Sequence, residues 1–354
     1  MNNEPLRFGL IGAGGIGAVR ARALEKSPDC TLTAALDIDP ERVAGLAGTA
    51  RGFDSQQDFF ESGLFDAVLI CTPPDTHREL ALEALQRGLH VLVEKPMAES
   101  VAACREMIAA ARDADRILAV GFNHRFFKGV EVVRRAIHDG TIGKLSWIRA
   151  FTGHTGLSEF KAPWMYDKKV MGGGTLMDNG VHLLDLACHL MSEIESVNGY
   201  VRHDFWNLEV EDNAFLHITN SEGVVCDFHS SWTEWKGYRF FVEAYGDRGM
   251  AGMYYAPMRT RITTVDDKGT PVHTQRNFFP LDIFREKLFG WQVTVVETFI
   301  HEFRDFAARV RGQKGPFTAA SGTDGLKACL VANTAYESSE SGQAIRLPIV
   351  EDNA

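Results

Sequence analysis

The sequence predicts an α/β protein that begins with a doubly wound parallel sheet. Short apolar strands alternate with helical segments over roughly the first 120 residues, a glycine-rich turn directly follows the first strand, and polar residues stand where several strands end. Such alternation is typical of a parallel sheet covered by helices on both faces. Ligands of these sheets bind beyond the carboxyl ends of the strands, so those polar residues are candidate site residues.

The predicted elements follow one another without long gaps. Strands are expected at residues 6–11, 32–36, 67–71, 90–93 and 117–121, and helices at 18–26, near 39–41, 76–87 and 100–113. Further along, residues 238–245 alternate as a half-exposed strand does, and the segments 220–223 and 266–269 predict hairpin turns. Residues 295–311 and 324–340 predict helices near the end of the chain.

The composition excludes several classes of function. At 354 residues the chain is longer than one core usually becomes, so two domains are expected. The formal net charge of −10 argues against nucleic acid and anionic membranes as partners. No apolar run is long enough to span a bilayer, and the N-terminus lacks the pattern of a signal peptide, so a cytoplasmic location is expected. The 6 cysteines are scattered, which indicates neither a disulfide framework nor a metal site.

The segment Gly12-Ala13-Gly14-Gly15-Ile16-Gly17 lies between the first strand and the first helix, as a dinucleotide-binding loop does. Gly12 permits the tight turn, Gly14 lets the backbone approach a pyrophosphate, and Gly17 allows the helix to pack on the strand. The pyrophosphate would lie at the helix N-terminus, where free N–H groups favour negative charge. A purely structural glycine turn is the alternative.

Asp37 ends the second strand, where a carboxylate can accept hydrogen bonds from the adenosine ribose hydroxyls. The same carboxylate would repel a 2′-phosphate, so NAD is expected as the cofactor and NADP is disfavoured. Arg42 is a nearby cation that weakens this preference. Asp37 could instead cap the helix near residues 39–41, but Asp39 suits that role better.

Other polar residues stand at the carboxyl ends of neighbouring strands, namely Thr72, the pair Glu94-Lys95, and Asn123. Because these ends meet at one edge of a parallel sheet, we expect them to converge with Gly12 and Asp37 on one crevice. Lys95 is then expected to face the reactive end of the cofactor. A surface ion pair at a strand corner is the alternative for Glu94-Lys95.

A third segment with candidate reactive residues follows the triple glycine at residues 172–174. Residues 176–191 have the apolar period of a helix, which would place Asp178, His182 and Asp185 on one face. A histidine between two carboxylates can bind a metal, but zinc needs further ligands that the sequence does not offer, so no metal is expected. A capping aspartate and a core histidine are the alternative to a reactive pair.

With these residues in view, the chain resembles the Gfo/Idh/MocA family, the group of glucose–fructose oxidoreductase and inositol dehydrogenase. The resemblance covers nearly the whole length through the segments GLIGAGGIG, CTPPDTH, VEKP, GFNHRF and GGGTLMDNGVHLLD, with further likeness at residues 324–327 and 338–342. It implies a Rossmann domain followed by an α/β domain with a large open-faced, mainly antiparallel sheet. The expected domains are residues 1–122, which bind the dinucleotide, and residues 123–354, which bind substrate and mediate oligomerisation.

The resemblance also implies the site residues. Lys95, Asp178 and His182 match the catalytic residues of the family. The expected cofactor contacts are Gly12, Gly14, Gly15, Ile16, Gly17, Asp37, Thr72, Pro73, His77, Glu94, Lys95 and Asn123. The expected substrate contacts are Lys95, Asn123, Arg125, His154, Trp164, Asp178 and His182. Family members often carry Trp-Arg where this chain has Trp164-Met165, so a cofactor contact from that arginine is not expected, and Trp164 is taken as a wall of the substrate pocket.

These residue types suit hydride transfer from a secondary alcohol. His182 can accept the hydroxyl proton near neutral pH, and Lys95 can stabilise negative charge on the substrate oxygen. The residues do not distinguish which of the two accepts the proton first. Asp178 can bind a neighbouring hydroxyl and tune the histidine.

The predicted function is therefore NAD-dependent oxidation of a ring secondary alcohol in a sugar, anhydrosugar or cyclitol. A glycosidase that retains NAD and a non-catalytic sugar-sensing regulator are the alternatives. An open sheet face rich in aromatic residues predicts a homodimer or homotetramer.

Overall fold

The computed structural model describes residues 4–46, 48, 50–158, 162–348 and 350. Its strands are β1 Leu6–Ile11, β2 Cys30–Leu36, β3 Arg51–Phe53, β4 Ala67–Ile70, β5 His90–Val93, β6 Leu118–Val120, β7 Leu145–Gly153, β8 Ile194–Arg202, β9 Asn213–Asn220, β10 Val225–Ser231, β11 Arg239–Gly246, β12 Gly249–Tyr255, β13 Arg259–Val265, β14 Pro271–Phe278, β15 Ala320–Ser321 and β16 Ile345–Arg346. Its helices are α1 Gly15–Lys26, α2 Pro40–Ala44, α3 Gln56–Glu61, α4 His77–Gln86, α5 Val101–Asp113, α6 Lys128–His138, α7 Lys168–Met171, α8 Val181–Met191, α9 Pro280–Phe289, α10 Gln292–Val310 and α11 Gly322–Ser341.

These elements form two compact units. The first contains the described residues of Met1–Phe126 and Phe289–Leu326, and the second contains those of Phe127–Leu288 and Lys327–Glu351. The structure differs here from the single boundary expected after residue 122, because the chain returns to the first unit near its end. The apolar pattern of residues 295–311 predicts a helix but does not indicate which of the two cores that helix packs against.

The first unit is built on a 7-stranded sheet in the order β15-β6-β5-β4-β1-β2-β3. The strands from the start of the chain are parallel, and β15 adds an antiparallel edge. All residues of β4 are buried, as expected for a strand that is covered on both faces. The predicted doubly wound sheet is confirmed. Its strand order reverses between β1 and β4, which is where ligands of such sheets bind.

The returning segment completes the core of the first unit. Phe303 and Phe306 of α10 place their ring centroids 5.6 Å and 5.5 Å from that of Phe8 in β1. All three rings are completely buried, so each removes a large apolar area from water. The first unit therefore needs residues that lie almost 300 positions away from its first strand.

A buried ion-pair network joins α10 to the rest of the first unit. Arg20 of α1 has no exposed surface, and its guanidinium pairs with Glu302 of α10 and with Glu94, whose Oε1 lies 2.6 Å away. The guanidinium carbon also lies 3.7 Å from the ring centroid of Phe299. Burial alone would lower the pKa of Arg20, but the two carboxylates outweigh it and raise that pKa above its ordinary value. Arg20 is therefore a charged bridge between α1, the end of β5 and α10.

The second unit contains a 9-stranded sheet in the order β14-β13-β12-β11-β7-β10-β9-β8-β16. The pair β7–β10 is parallel and the other pairs are antiparallel. Along β11, Phe240, Val242 and Ala244 are buried while the residues between them are more exposed, as the sequence pattern predicts. The predicted mainly antiparallel second sheet is confirmed.

Aromatic rings line the more exposed face of this sheet. Trp147 stacks on Tyr245 with 4.0 Å between ring centroids, and Phe215 stacks on His229 at 4.1 Å. Trp147 and Phe215 are 40% and 44% exposed. A contiguous face of this kind supports the expected homodimer or homotetramer, which stays a prediction. Among the helices of the described residues, none is both long and apolar enough to cross a membrane.

The segment expected as one helix over residues 176–191 consists of two parts. A π-helical turn covers Leu176–Gly180, in which the N–H of Gly180 bonds to the carbonyl of Thr175, and α8 follows at Val181. Asp178 lies within the π turn and His182 in the first turn of α8. The spacing expected from a continuous α-helix is therefore wrong at its start. Single π turns are frequent at functional sites.

Replacing Arg20 by Met should destabilise the first unit by about 3–5 kcal/mol, because it leaves two buried carboxylates without their cation. Urea unfolding followed by circular dichroism measures the change. The matched control is Arg304→Met, since Arg304 belongs to α10, the helix that Arg20 contacts, but forms an exposed ion pair with Asp29. That control should change stability by less than about 1 kcal/mol. Equal losses in the two variants would contradict the role of Arg20.

Candidate active site

The glycine-rich loop of the first unit contains two glycines that the fold requires and two that leave space beside the backbone. Gly12 has a φ of +91°, and a Cβ there would lie 2.7 Å from the backbone of Cys71. A Cβ on Gly17 would lie 1.9 Å from the carbonyl oxygen of Gly12. By contrast, a Cβ on Gly15 would meet nothing within 4 Å, and one on Gly14 only a guanidinium nitrogen at 3.9 Å. The first two glycines make the turn, and the other two leave the backbone accessible.

The loop leads into a helix start that suits a pyrophosphate. Gly14 precedes α1 and provides no side-chain cap, so the first N–H groups of the helix keep their positive potential. Ile16 lies in this first turn and is 37% exposed. These features fit the dinucleotide that the loop pattern predicts.

Asp37 is fixed to the same loop. Its Oδ2 accepts the N–H of Ala13 at 2.6 Å, and its Oδ1 accepts the N–H of Asp39 at 2.9 Å. An ionised carboxylate has about four acceptor positions, so Asp37 retains capacity for ribose hydroxyls. Arg42 Nη1 lies 3.7 Å from Oδ1, and Asp39 caps α2 as the sequence suggested. The acid expected at the ribose is therefore held beside the turn of the loop.

His77 joins the loops that follow β4 and β5. Its Nε2 lies 2.8 Å from the carbonyl oxygen of Thr72, and its Nδ1 lies 3.1 Å and 3.3 Å from those of Pro96 and Met97. The ring is completely buried, and burial lowers the pKa of His77. The carbonyl of Pro73 accepts a hydrogen bond from the backbone N–H of Thr76, with a distance of 3.1 Å between the two atoms. The ring nitrogens of His77 therefore face carbonyls of both loops, and the one that carries the hydrogen donates to a carbonyl. The cofactor contact expected of His77 stays a prediction.

Glu94 and Lys95 have different surroundings although they are adjacent. Glu94 is buried, pairs with Arg20 through Oε1, and accepts the backbone N–H of Lys95 through Oε2 at 3.1 Å. The carboxylate thus holds the backbone from which Lys95 projects. His124 is buried near Lys95; burial, and then the lysine charge, lower the pKa of His124 to about 3. A neutral imidazole therefore neighbours the lysine.

Asn123 and Arg125 follow β6 and contact the returning segment of the first unit. The amide of Asn123 donates to Thr298 Oγ1 at 2.8 Å. The guanidinium of Arg125 is buried and lies 3.2 Å from Asp324 Oδ1. Burial would raise the pKa of Asp324, but Arg125 and hydrogen bonds lower it. The charge of Arg125 is therefore balanced within the protein.

In the second unit, Asp178 lies in a cluster of buried donors. Its Oδ2 is 3.1 Å from His154 Nε2 and 3.2 Å from the indole Nε1 of Trp232. His154, Asp178 and Trp232 are all buried, and so is His182 of α8. Trp164 lies in a separate turn, Pro163–Tyr166, and is 37% exposed.

The backbone that leads to Asp178 is held by Glu211. This buried carboxylate accepts the N–H groups of Gly174 and Leu176, both at 2.9 Å, and the hydroxyl of Tyr336 at 3.0 Å. Burial raises the pKa of Glu211, although these donors favour the ionised form. A Cβ on Gly174 would lie 2.0 Å from the carbonyl oxygen of Glu211, so this approach requires glycine.

No group of three or more histidine, cysteine or carboxylate side chains within the described ranges is placed to hold a metal ion.

Family models match both units of the chain. Residues 6–122 match the model described as an oxidoreductase family with an NAD-binding Rossmann fold, and residues 130–252 match the Gfo/Idh/MocA C-terminal domain. An inositol 2-dehydrogenase of Rhizobium meliloti is 30% identical over 94% of this chain and 96% of its own length. The chain belongs to the Gfo/Idh/MocA oxidoreductase family.

Two further proteins are similar to this member of the Gfo/Idh/MocA family over nearly its whole length. A myo-inositol 2-dehydrogenase of Thermotoga maritima is 27% identical over 97% of this chain and 98% of its own length. A solved levoglucosan dehydrogenase, in complex with NADH and levoglucosan, has a TM-score of 0.84 at 22% identity and covers 98% of this chain and 100% of its own. That likeness shows the shared fold. The predicted family, NAD as cofactor and oxidoreductase class are confirmed.

Within this Gfo/Idh/MocA fold, several contacts were not predicted from the sequence. His124, Glu211 and Trp232 were not singled out, although His124 lies inside the GFNHRF segment. Glu94 was expected at the cofactor, and in the structure its carboxylate forms an ion pair with Arg20 and accepts the backbone N–H of Lys95. Which residues contact cofactor and substrate stays a prediction.

Preference for NAD over NADP should depend on Asp37. Wild-type protein should bind NADH more tightly than NADPH, and Asp37→Ser should reduce the ratio of the two affinities at least about tenfold, because repulsion of the 2′-phosphate is lost. Titrations that follow the fluorescence of each cofactor measure both constants. Asp39→Ser is the control, since it removes a neighbouring carboxylate and keeps a good helix cap. Equal affinity of the wild type for both cofactors would refute the role of Asp37.

Proposed function

We propose that the protein oxidises a ring secondary hydroxyl of a neutral sugar, anhydrosugar or cyclitol. Two of the similar proteins described above are named for inositol and one for levoglucosan, which are neutral polyhydroxylated rings. The inositol enzymes align over nearly the whole chain, including both units. This breadth supports a substrate of the same chemical class here.

The observation that carries the proposal is the character of the predicted substrate contacts. Asp178 and His182 are buried polar groups that suit hydroxyl recognition. A phosphorylated or nucleotide-linked sugar would instead need cations that are free to bind it. Arg125, which carries the guanidinium among the predicted substrate contacts, is buried and already paired with Asp324. These placements favour an uncharged ring.

The side chains of the protein have distinct tasks in this reaction. When bound, NAD supplies the nicotinamide that accepts the hydride. The hydroxyl proton must leave the substrate as the carbonyl forms, and the imidazole of His182 and the amine of Lys95 are the two groups able to receive it. Lys95 also stabilises negative charge on the substrate oxygen. The hydrogen bond from its backbone N–H to Glu94 fixes the position of the backbone that carries the side chain.

Asp178 has a different task because its carboxylate oxygens are hydrogen-bond acceptors, and Oδ2 already faces two N–H donors. It binds a neighbouring substrate hydroxyl as an acceptor and orients the ring for reaction. A cytoplasmic location, expected from the sequence, stays a prediction.

A panel of candidate substrates tests this function. Purified protein with NAD should release NADH steadily, measured by absorbance, with at least one member of a set containing inositols, free monosaccharides and levoglucosan. Sugar phosphates and nucleotide sugars form the comparison set and should be poorer substrates. Activity confined to the charged set would refute the neutral ring. Conversion of glycosides without net NADH release would indicate the NAD-retaining glycosidase instead.

Replacing Lys95 or His182 by Ala should lower turnover by roughly 100-fold or more, the usual scale for a general acid–base group or a charge-stabilising donor. NADH binding, followed by fluorescence, should persist in both variants because the loop and Asp37 are unchanged. Lys169→Ala is the matched control and should retain full turnover, since Lys169 is exposed. Nearly wild-type turnover in Lys95→Ala or His182→Ala would contradict the catalytic role of that residue and indicate a structural one.

A further inference from the structure

Asp178 is held by two N–H donors on the same oxygen. His154 Nε2 and Trp232 Nε1 lie 3.1 Å and 3.2 Å from Asp178 Oδ2. All three residues are buried, where hydrogen bonds to an anion are strong and an isolated carboxylate would be costly. Two donors on one oxygen fix the plane of the carboxylate and favour its ionised form.

The contacts of His154 determine its tautomer. The backbone N–H of Gly156 points to His154 Nδ1 at 3.0 Å. A backbone N–H can only donate, so Nδ1 is the acceptor and the ring hydrogen is on Nε2, which then donates to Asp178. Both ring nitrogens of His154 are thereby engaged within the second unit. The substrate contact that the sequence predicts for His154 stays a prediction.

Trp232 is fixed on both sides of its backbone. Its N–H donates to the carbonyl of Asp212 at 2.7 Å, and its own carbonyl accepts the indole N–H of Trp206 at 3.0 Å. The side chain of Trp232 has no exposed surface. An indole N–H is a donor only, so it can hold a carboxylate but cannot take up a proton.

We infer, building on the proposed function, that Trp232 and His154 are positioning residues for Asp178. Together they orient its carboxylate and favour its ionised form, so that Asp178 acts as a fixed hydrogen-bond acceptor in the reaction and does not take the substrate proton. His154 acts on the reaction through Asp178. The reaction then requires a ring hydroxyl that donates to Asp178, besides the one that is oxidised.

The first measurement needs no substrate. In two-dimensional NMR spectra of ¹⁵N-labelled protein, the indole signal that disappears in Trp232→Phe identifies Trp232, and the one lost in Trp206→Phe identifies Trp206. Asp178→Asn replaces a charged acceptor by a neutral one, so the Trp232 signal should move upfield while the Trp206 signal stays in place. A Trp232 signal that does not move in Asp178→Asn would overturn the inference.

The second measurement is a double-mutant cycle on turnover with the best substrate of the panel. Trp232→Phe should lower kcat about tenfold or more, the scale of one hydrogen bond to a charged group, and leave the KM for NAD unchanged. In the Asp178→Asn background the same substitution should cost less than about twofold, because its target is already altered. Trp206→Phe, which removes an indole donor to a carbonyl, should change kcat by less than about threefold.

His154→Leu is the second route if Trp232→Phe does not fold. It should lower kcat similarly, and this loss should also vanish in the Asp178→Asn background. Equal losses in the wild-type and Asp178→Asn backgrounds would overturn the positioning role. A protein that shows the indole shift but oxidises no member of the panel would refute the proposed function and support the positioning contacts.

Discussion

The first unit depends on the burial of one guanidinium. A charged group without solvent must find acceptors inside the protein, and Arg20 finds them on Glu94 and Glu302. These two carboxylates belong to segments that are far apart in the chain, the end of β5 and the middle of α10. Removing either acid would leave charge unbalanced in the core. The position of the backbone at Lys95 is therefore linked to correct docking of α10.

A similar arrangement recurs in the second unit. Glu94 accepts the N–H of Lys95, and Glu211 accepts the N–H groups of Gly174 and Leu176, just before Asp178. In both cases a buried carboxylate holds the backbone beside a predicted catalytic residue. Hydrogen bonds from backbone N–H groups to a buried anion are directional and resist displacement. Reactive side chains on such anchored backbone lose little freedom when they meet a substrate.

Local patterns in the sequence predict much of the fold and less of the site. Strands such as β1 and β5 follow from short apolar runs, and the loop at residues 12–17 follows from its glycines, because these signals are contained in a few adjacent residues. The partners of Glu94 and Glu211 could not be predicted, since Arg20 and Tyr336 lie 74 and 125 residues away from them. The π turn at Leu176–Gly180 was missed for a related reason: the apolar period predicts an ordinary helix there, and the contact of Leu176 with the distant Glu211 is not part of that local pattern.

The return of the chain at residues 289–326 has a consequence for how such proteins can change. In topological terms, residues 127–288 are an insertion within the first unit, which is contiguous only in space. A fragment that stopped at Phe126 would lack Phe303 and Glu302, and so both the apolar cover of Phe8 and one acceptor of Arg20. Exchange of residues 127–288 between relatives leaves the dinucleotide unit whole. After a single crossover at Phe126, by contrast, the core of that unit must be completed by the α10 helix of the other relative. Because the second unit also includes the described residues after Leu326, recombination that keeps both units whole needs three breakpoints, after Phe126, Leu288 and Leu326.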